Sequence, residues 1–191
     1  MIEVFDTAAA RYALGRRKLP CPGCGEPLRP WGRARERTIR ELGGAKVTAR
    51  PDRARCTGCG ATHVVLDAGL LPRRAHTAAL IGQALVTAAR GDGHRRIAAR
   101  LAVPHGTVRG WIRRARRSAG QLRILGVKAV VALDPDALPS LMRPDELGYA
   151  LDALGAAAMA IGERFGLQHT SPRARITVLT RGRLLAPAPA G

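Results

Sequence analysis

Two C-x-x-C-G units constrain this chain more than any other feature. They are CPGCG at 21–25 and CTGCG at 56–60, and they hold all four cysteines: Cys21, Cys24, Cys56 and Cys59. A C-x-x-C turn aims backbone amides at its own sulfurs. The glycine after each second cysteine, Gly25 or Gly60, supplies the left-handed conformation that such a turn often needs. Two turns of this kind, facing each other, close a tetrahedral site for one Zn²⁺. Disulfides are the rival use of four cysteines, and a reducing cytosol disfavours them. A redox C-x-x-C needs one pair beside a βαβ unit, and none is legible. His63 is an alternative ligand, but it falls in the strand-like THVVL, and four thiolates already fill the shell. A closed shell leaves no position for water or substrate, so the zinc is expected to be structural.

The arrangement resembles a zinc ribbon, with room between the cysteine pairs for two strands, about 29–40 and 46–55. The ribbon and its lead-in take residues 1–66. A linker, DAGLLPRR within 67–76, follows. The next unit, 77–120, reads as three helices at about 77–90, 94–102 and 105–118. Thr77 can cap the first, Ile81, Leu85 and Ala88 form its buried stripe, and Gly91 and Gly93 end it. In RIAARLAVPHGTVRGWIRRARR (96–117), Ile97, Ala98 and Leu101 sit at helical spacing, and Val108, Trp111, Ile112 and Ala115 repeat it. Pro104 suits the first turn of a new helix. A helix-turn-helix needs small residues at Ala98 and at the turn, where Ala102 stands in place of the usual glycine. The segment resembles the homeodomain-like helix-turn-helix of bacterial regulators and of transposase amino-terminal domains.

Charge points the same way. The chain has 32 Lys+Arg against 14 Asp+Glu, a net +18. Residues 73–127 contain twelve arginines and one acid, Asp92. A one-sign field over a helix attracts polyanions, double-stranded DNA first among them. On the second helix of the motif, His105, Arg109 and Arg113 fall four apart, away from Val108, Trp111 and Ile112, and are the expected base-reading residues. Thr107, Arg95, Arg96, Arg114 and Arg117 are expected at phosphates. Aromatic residues are only 3% of the chain, which disfavours both one large core and the stacking by which single-stranded RNA is read.

Beyond Gly120 the pattern is helical over 121–182, with a loose tail at 183–191. QLRILGVKAVVALDP reads as a helix stopped by Pro135, although VKAVVAL also fits a strand. Pro144, Asp145 and Glu146 suit a helix start. Leu147, Leu151, Leu154, Ala158, Ile161 and Phe165 then form an apolar seam ended by Gly166. The seam packs inside the chain or dimerises through 145–165, with the internal packing preferred. Residues 171–182 fit a helix capped by Ser171 or a strand. The expected fold class is α+β, mostly α.

The front end resembles that of many transposases, which cut DNA with three separated carboxylates. Here the late acids, Asp134, Asp136, Asp145, Glu146, Asp152 and Glu163, cluster, and no nuclease strands precede them, so no catalysis is expected. No membrane span, secretion signal or small-molecule substrate is read, and a cytoplasmic, nucleoid-associated location is expected. The segments LPCPGCGEPLRPWGRARER, RARCTGCGATHVVL, GHRRIAARLAVPHGTVRGWIRRARR and LTRGRLLAP resemble an uncharacterised family of bacterial zinc-ribbon/helix-turn-helix proteins. That resemblance implies a transposase front end that kept its DNA-reading parts without the cutting domain. A sequence-specific transcriptional regulator is the leading expectation. A transposition accessory protein or decayed transposase is the second, and an RNA-binding or protein-docking module the third.

Overall fold

The structure, a computed structural model, describes residues 1–137 and 145–186. Its N-terminal part is β1 (Ile2–Val4), α1 (Thr7–Gly15), β2 (Leu28–Arg33), β3 (Arg37–Arg40), β4 (Lys46–Ala49), β5 (Asp52–Cys56) and β6 (Thr62–Asp67). Four strands form one sheet in the order β1-β6-β5-β2, with β1 parallel to β6 and the other pairs antiparallel. Leu28, Ala54, Cys56 and Val65 are buried with Ala10 and Leu14 of α1. The α1 helix starts where the Asp6 carboxylate accepts from the amides of Ala8 and Ala9. The lead-in of the sequence reading therefore completes the core of the cysteine-bearing sheet.

The two long strands expected at 29–40 and 46–55 are each broken. The Gly32 φ of +81° lies within the irregularity between Pro30 and Arg33, and Pro51 has no amide for a ladder. The β3–β4 pair is consequently a separate two-stranded hairpin. It docks on the helical part: Ile39 is fully buried, the Arg40 amide donates to the Ala75 carbonyl, and the Thr77 amide donates to the Arg40 carbonyl. Within 67–76, expected as a linker, Ala68 and Leu71 are buried.

The helical part is α2 (Ala78–Ala89), α3 (His94–Leu101), α4 (His105–Arg117), α5 (Ala119–Leu133), a 3-10 turn (Pro135–Ala137), α6 (Glu146–Arg164) and α7 (Pro172–Leu179). The described residues thus combine seven α-helices with six strands, a mixed α/β fold. "Mostly α" is corrected by the sheet content, which short, arginine-rich strands hid from a reading based on apolar periodicity. The Thr77 hydroxyl caps α2 by accepting from the Leu80 amide, and Ile81, Leu85 and Ala88 are buried as expected. The α5 segment is helical and ends before Pro135. The α7 segment is helical too, with Ser171 accepting from the Ala174 amide and Pro172 in its first turn. Both open alternatives resolve to helix. Pro144 lies outside the described residues; α6 begins at Glu146 with Asp145 as its N-cap.

The seam on α6 faces the interior of the chain, packing on α5 and α7. Leu147, Leu154 and Ala158 are buried, whereas Phe165 is 61% exposed. Ala150, Ala153, Ala157 and Ala160 share the buried face. A Cβ on Gly126 of α5 would come within 2.7 Å of the Ala153 carbonyl carbon and 2.8 Å of the Leu154 nitrogen, so the two backbones touch there. Gly162 makes room for the buried Arg175 guanidinium, whose Nη1 donates to the Leu167 carbonyl. The α2–α4 core continues into Leu122, Leu147 and Leu154 without a gap. No helix among the described residues is long and apolar enough to cross a membrane.

Candidate metal centre and nucleic-acid interface

Backbone hydrogen bonds shape each cysteine turn. The Cys21 amide donates to the Glu26 carbonyl (2.8 Å), the Gly25 amide to the Cys21 carbonyl (2.9 Å) and the Cys56 amide to the Ala61 carbonyl (2.9 Å). Gly25 and Gly60 take φ of +79° and +73°, the left-handed conformation their positions called for. The four sulfurs lie within 4.8 Å of one another, with Cys21–Cys59 at 3.8 Å and Cys24–Cys56 at 3.4 Å. Tetrahedral bonds of about 2.3 Å place sulfurs roughly 3.8 Å apart, so the four cysteines fit a metal ion with little movement.

The electrostatics suit a cation. Amides of Gly23 and Cys24 hold the Cys21 thiol below its ordinary range. Burial pushes Cys56 up, but the Cys59 amide, the Cys24 thiol and the Gly58 amide outweigh it and bring Cys56 to about 6. At Cys59 the Ala61 amide favours the thiolate, yet the sulfurs of Cys56, Cys24 and Cys21 push it up to about 11. One sulfur thus resists ionising beside the others, a repulsion that a bound cation relieves. His63 stands outside the four-sulfur cluster, with Nε2 3.5 Å from the Cys21 sulfur. The sequence reading weighed it as an alternative ligand and placed it instead in the strand THVVL, where it lies. Its signal was strand alternation: His63 pairs with Ala54, two residues before Cys56 on the same strand.

The α3 and α4 helices meet at a tight turn. Ala102 takes φ 49°, ψ 43°, the left-handed conformation for which glycine is the usual residue. Ile97, Ala98, Val103, Val108, Trp111, Ile112 and Ala115 are buried between these helices and α2. Two residues outside the pair brace it. The His76 ring meets Trp111 edge-on at 4.9 Å, and Arg40 Nη1 donates to the Ala102 carbonyl at 2.7 Å. Burial and the Arg40 charge keep His76 below the usual imidazole range, hence neutral.

His105, Arg109, Arg113 and Arg117 are exposed along α4, as are Arg95 and Arg96 on α3; Thr107 and Arg114 are half-buried. Among the described residues, Arg109, Arg113 and Arg117 have no ion pair, whereas Arg96 and Arg100 both engage Asp92 at 3.2 Å. The structure therefore leaves Arg109, Arg113 and Arg117 of α4 open, sets Arg116 3.9 Å from the Asp145 carboxylate and ties Arg96 to Asp92. Neither α3 nor α4 has a side-chain cap, and their first residues, His94 and His105, bring their rings to 6.3 Å.

A family model described as a domain of unknown function (DUF6431) matches residues 21–111, from the first cysteine to Trp111 of α4. The matched stretch spans both the cysteine turns and the α3–α4 turn. No curated protein and no solved structure matches the chain.

Proposed function

We propose that this chain is a non-catalytic, sequence-specific DNA-binding protein that regulates transcription, with Zn²⁺ held by Cys21, Cys24, Cys56 and Cys59 as a structural ion. The observation that carries the reading is the α3–α4 pair. A left-handed turn at Ala102 joins two short helices over a buried Trp111, and the outer face of the second carries His105, Arg109 and Arg113 without an acid. A helix of this kind enters the major groove, where arginine makes bidentate contacts to guanine. Gly106 is exposed with open space around it and, despite its cost to helix formation, leaves the start of α4 bare for close approach. The uncapped amides at the starts of α3 and α4 suit phosphates.

Selection of binding sites from random duplexes, followed by titration of variants, tests the reading. Arg109→Ala and Arg113→Ala should each cost about 1–3 kcal/mol and relax the preference at one base pair. Arg117→Ala should weaken all sequences alike. If selection returns no preferred site and the three variants behave alike, the major-groove reading is wrong.

A further inference from the structure

An open cleft of about 1460 Å³ separates the sheet from the helices, and eight arginines line it among apolar residues such as Val64, Leu66 and Leu71. Arg35 precedes the β3–β4 hairpin and Arg37 opens it, and Arg73 and Arg74 come from the turn before α2. Arg114 and Arg117 come from the last turn of α4, and Arg181 and Arg183 from the turn after α7. Among the described residues, Glu3 is the single acid in the lining. Four separate segments thus deliver eight like charges to one surface, and burial together with the charge of Arg114 weakens the hold of Arg74 on its proton.

The cleft is assembled at a cost in backbone strain. Only four non-glycine residues among those described have positive φ, and two of them are Arg73 (+57°) and Arg181 (+48°). Both side chains are exposed; Arg181 takes the left-handed conformation that ends α7, where the Gly182 amide donates to the Thr177 carbonyl. Between them, Gly182 (φ +67°) lies so close to Pro72 that a Cβ would fall 2.7 Å from the proline ring, which clasps the two arginine-bearing turns together. Left-handed turns thus present Arg73 and Arg181 to the same cleft, and a surface that gathers like charges attracts a ligand of opposite sign.

We propose that this cleft grips the phosphate backbone of duplex DNA flanking the site read by α4. The inference rests on the DNA reading above. Arg114 and Arg117 belong both to α4 and to the cleft, so a duplex lying on α4 runs into it. Among the described residues, no tryptophan, tyrosine, phenylalanine or histidine lines the cleft. It therefore has none of the stacking platforms that hold single strands, and phosphates are what it recognises.

The test uses the full, metal-loaded chain, a selected duplex, a random-sequence duplex and a single strand, each over a salt series. The double variant Arg73→Gly with Arg181→Gly removes two charges while placing glycine where φ favours it, so its Tm should not fall. It should bind both duplexes more weakly and flatten the salt slope by about 1.8, two contacts at about 0.9 each, while the selected-to-random ratio stays unchanged. Arg35→Gln with Arg183→Gln, at exposed positions of ordinary backbone, should do the same. Arg109→Ala should instead lose the ratio. An unchanged slope in both cleft variants overturns the cleft and leaves α4 standing. A flattened slope with no sequence preference in the wild type supports the cleft and overturns the α4 reading. Equal competition by the single strand overturns the duplex as occupant, and absence of duplex binding overturns both.

Discussion

Ala102 sits where the chain turns from α3 to α4, in a conformation that a side chain disfavours by about 1–2 kcal/mol. Its Cβ is retained although only the carbonyl is used, by Arg40 at 2.7 Å. Ala102→Gly should therefore stabilise the protein by about 1 kcal/mol, raising Tm by about 2–4 °C in thermal unfolding, with DNA preference unchanged. An unchanged or lower Tm would show that the turn carries no strain. Residues of this kind were legible because local spacing governs them: Gly25 and Gly60 follow their cysteines, and Ala102 follows Leu101 at the helix end. Arg40 was not, since its acceptor lies 62 positions away and nothing in the local pattern announces it. The same holds for Arg175, which reads as a surface charge and is buried against Gly162.

Two glycines on the α5–α6 pair give opposite expectations. Gly126 meets the α6 backbone, so Gly126→Ala overpacks the contact and should cost about 1–3 kcal/mol in denaturant unfolding. Gly155 has open space, so Gly155→Ala should gain up to about 1 kcal/mol from helix propensity alone. Similar effects from both would mean that the helices do not touch at Gly126. Elements were legible in proportion to their length and period. The twelve residues of α2 and the nineteen of α6 announce a buried face, although on α6 the alanines share burial with the leucines, and Phe165 turns outward. The three residues of β1 are too few to show alternation, and the breaks at Gly32 and Pro51 divided what read as two long strands. The helical tail at α7 needed only its cap, Ser171 followed by Pro172, to be decided against a strand.

At the scale of the molecule, cysteine turns and DNA-reading helices read as separate modules, and the β3–β4 hairpin fastens one to the other through Ile39 and Arg40. Cys56→Ser should abolish the bound zinc measured by elemental analysis and unfold the sheet around it, while α2–α4 keep their circular dichroism signal. Amide exchange at the α3–α4 turn should quicken in the same variant, because Arg40 no longer reaches Ala102; unchanged exchange there would mean the hairpin docks independently of the metal. The helices α2–α4 were legible from their spacing, and the docking of the hairpin on them was not, since docking is set by tertiary contacts. That single guanidinium-to-carbonyl bond has a thermodynamic corollary. If α4 binds DNA as proposed and the metal stiffens it, occupancy of either site must strengthen the other by the same factor. On the DNA reading proposed above, a chelator at equilibrium should remove less zinc from the DNA-bound protein than from the free one, and loss of the metal should weaken DNA binding by the same factor.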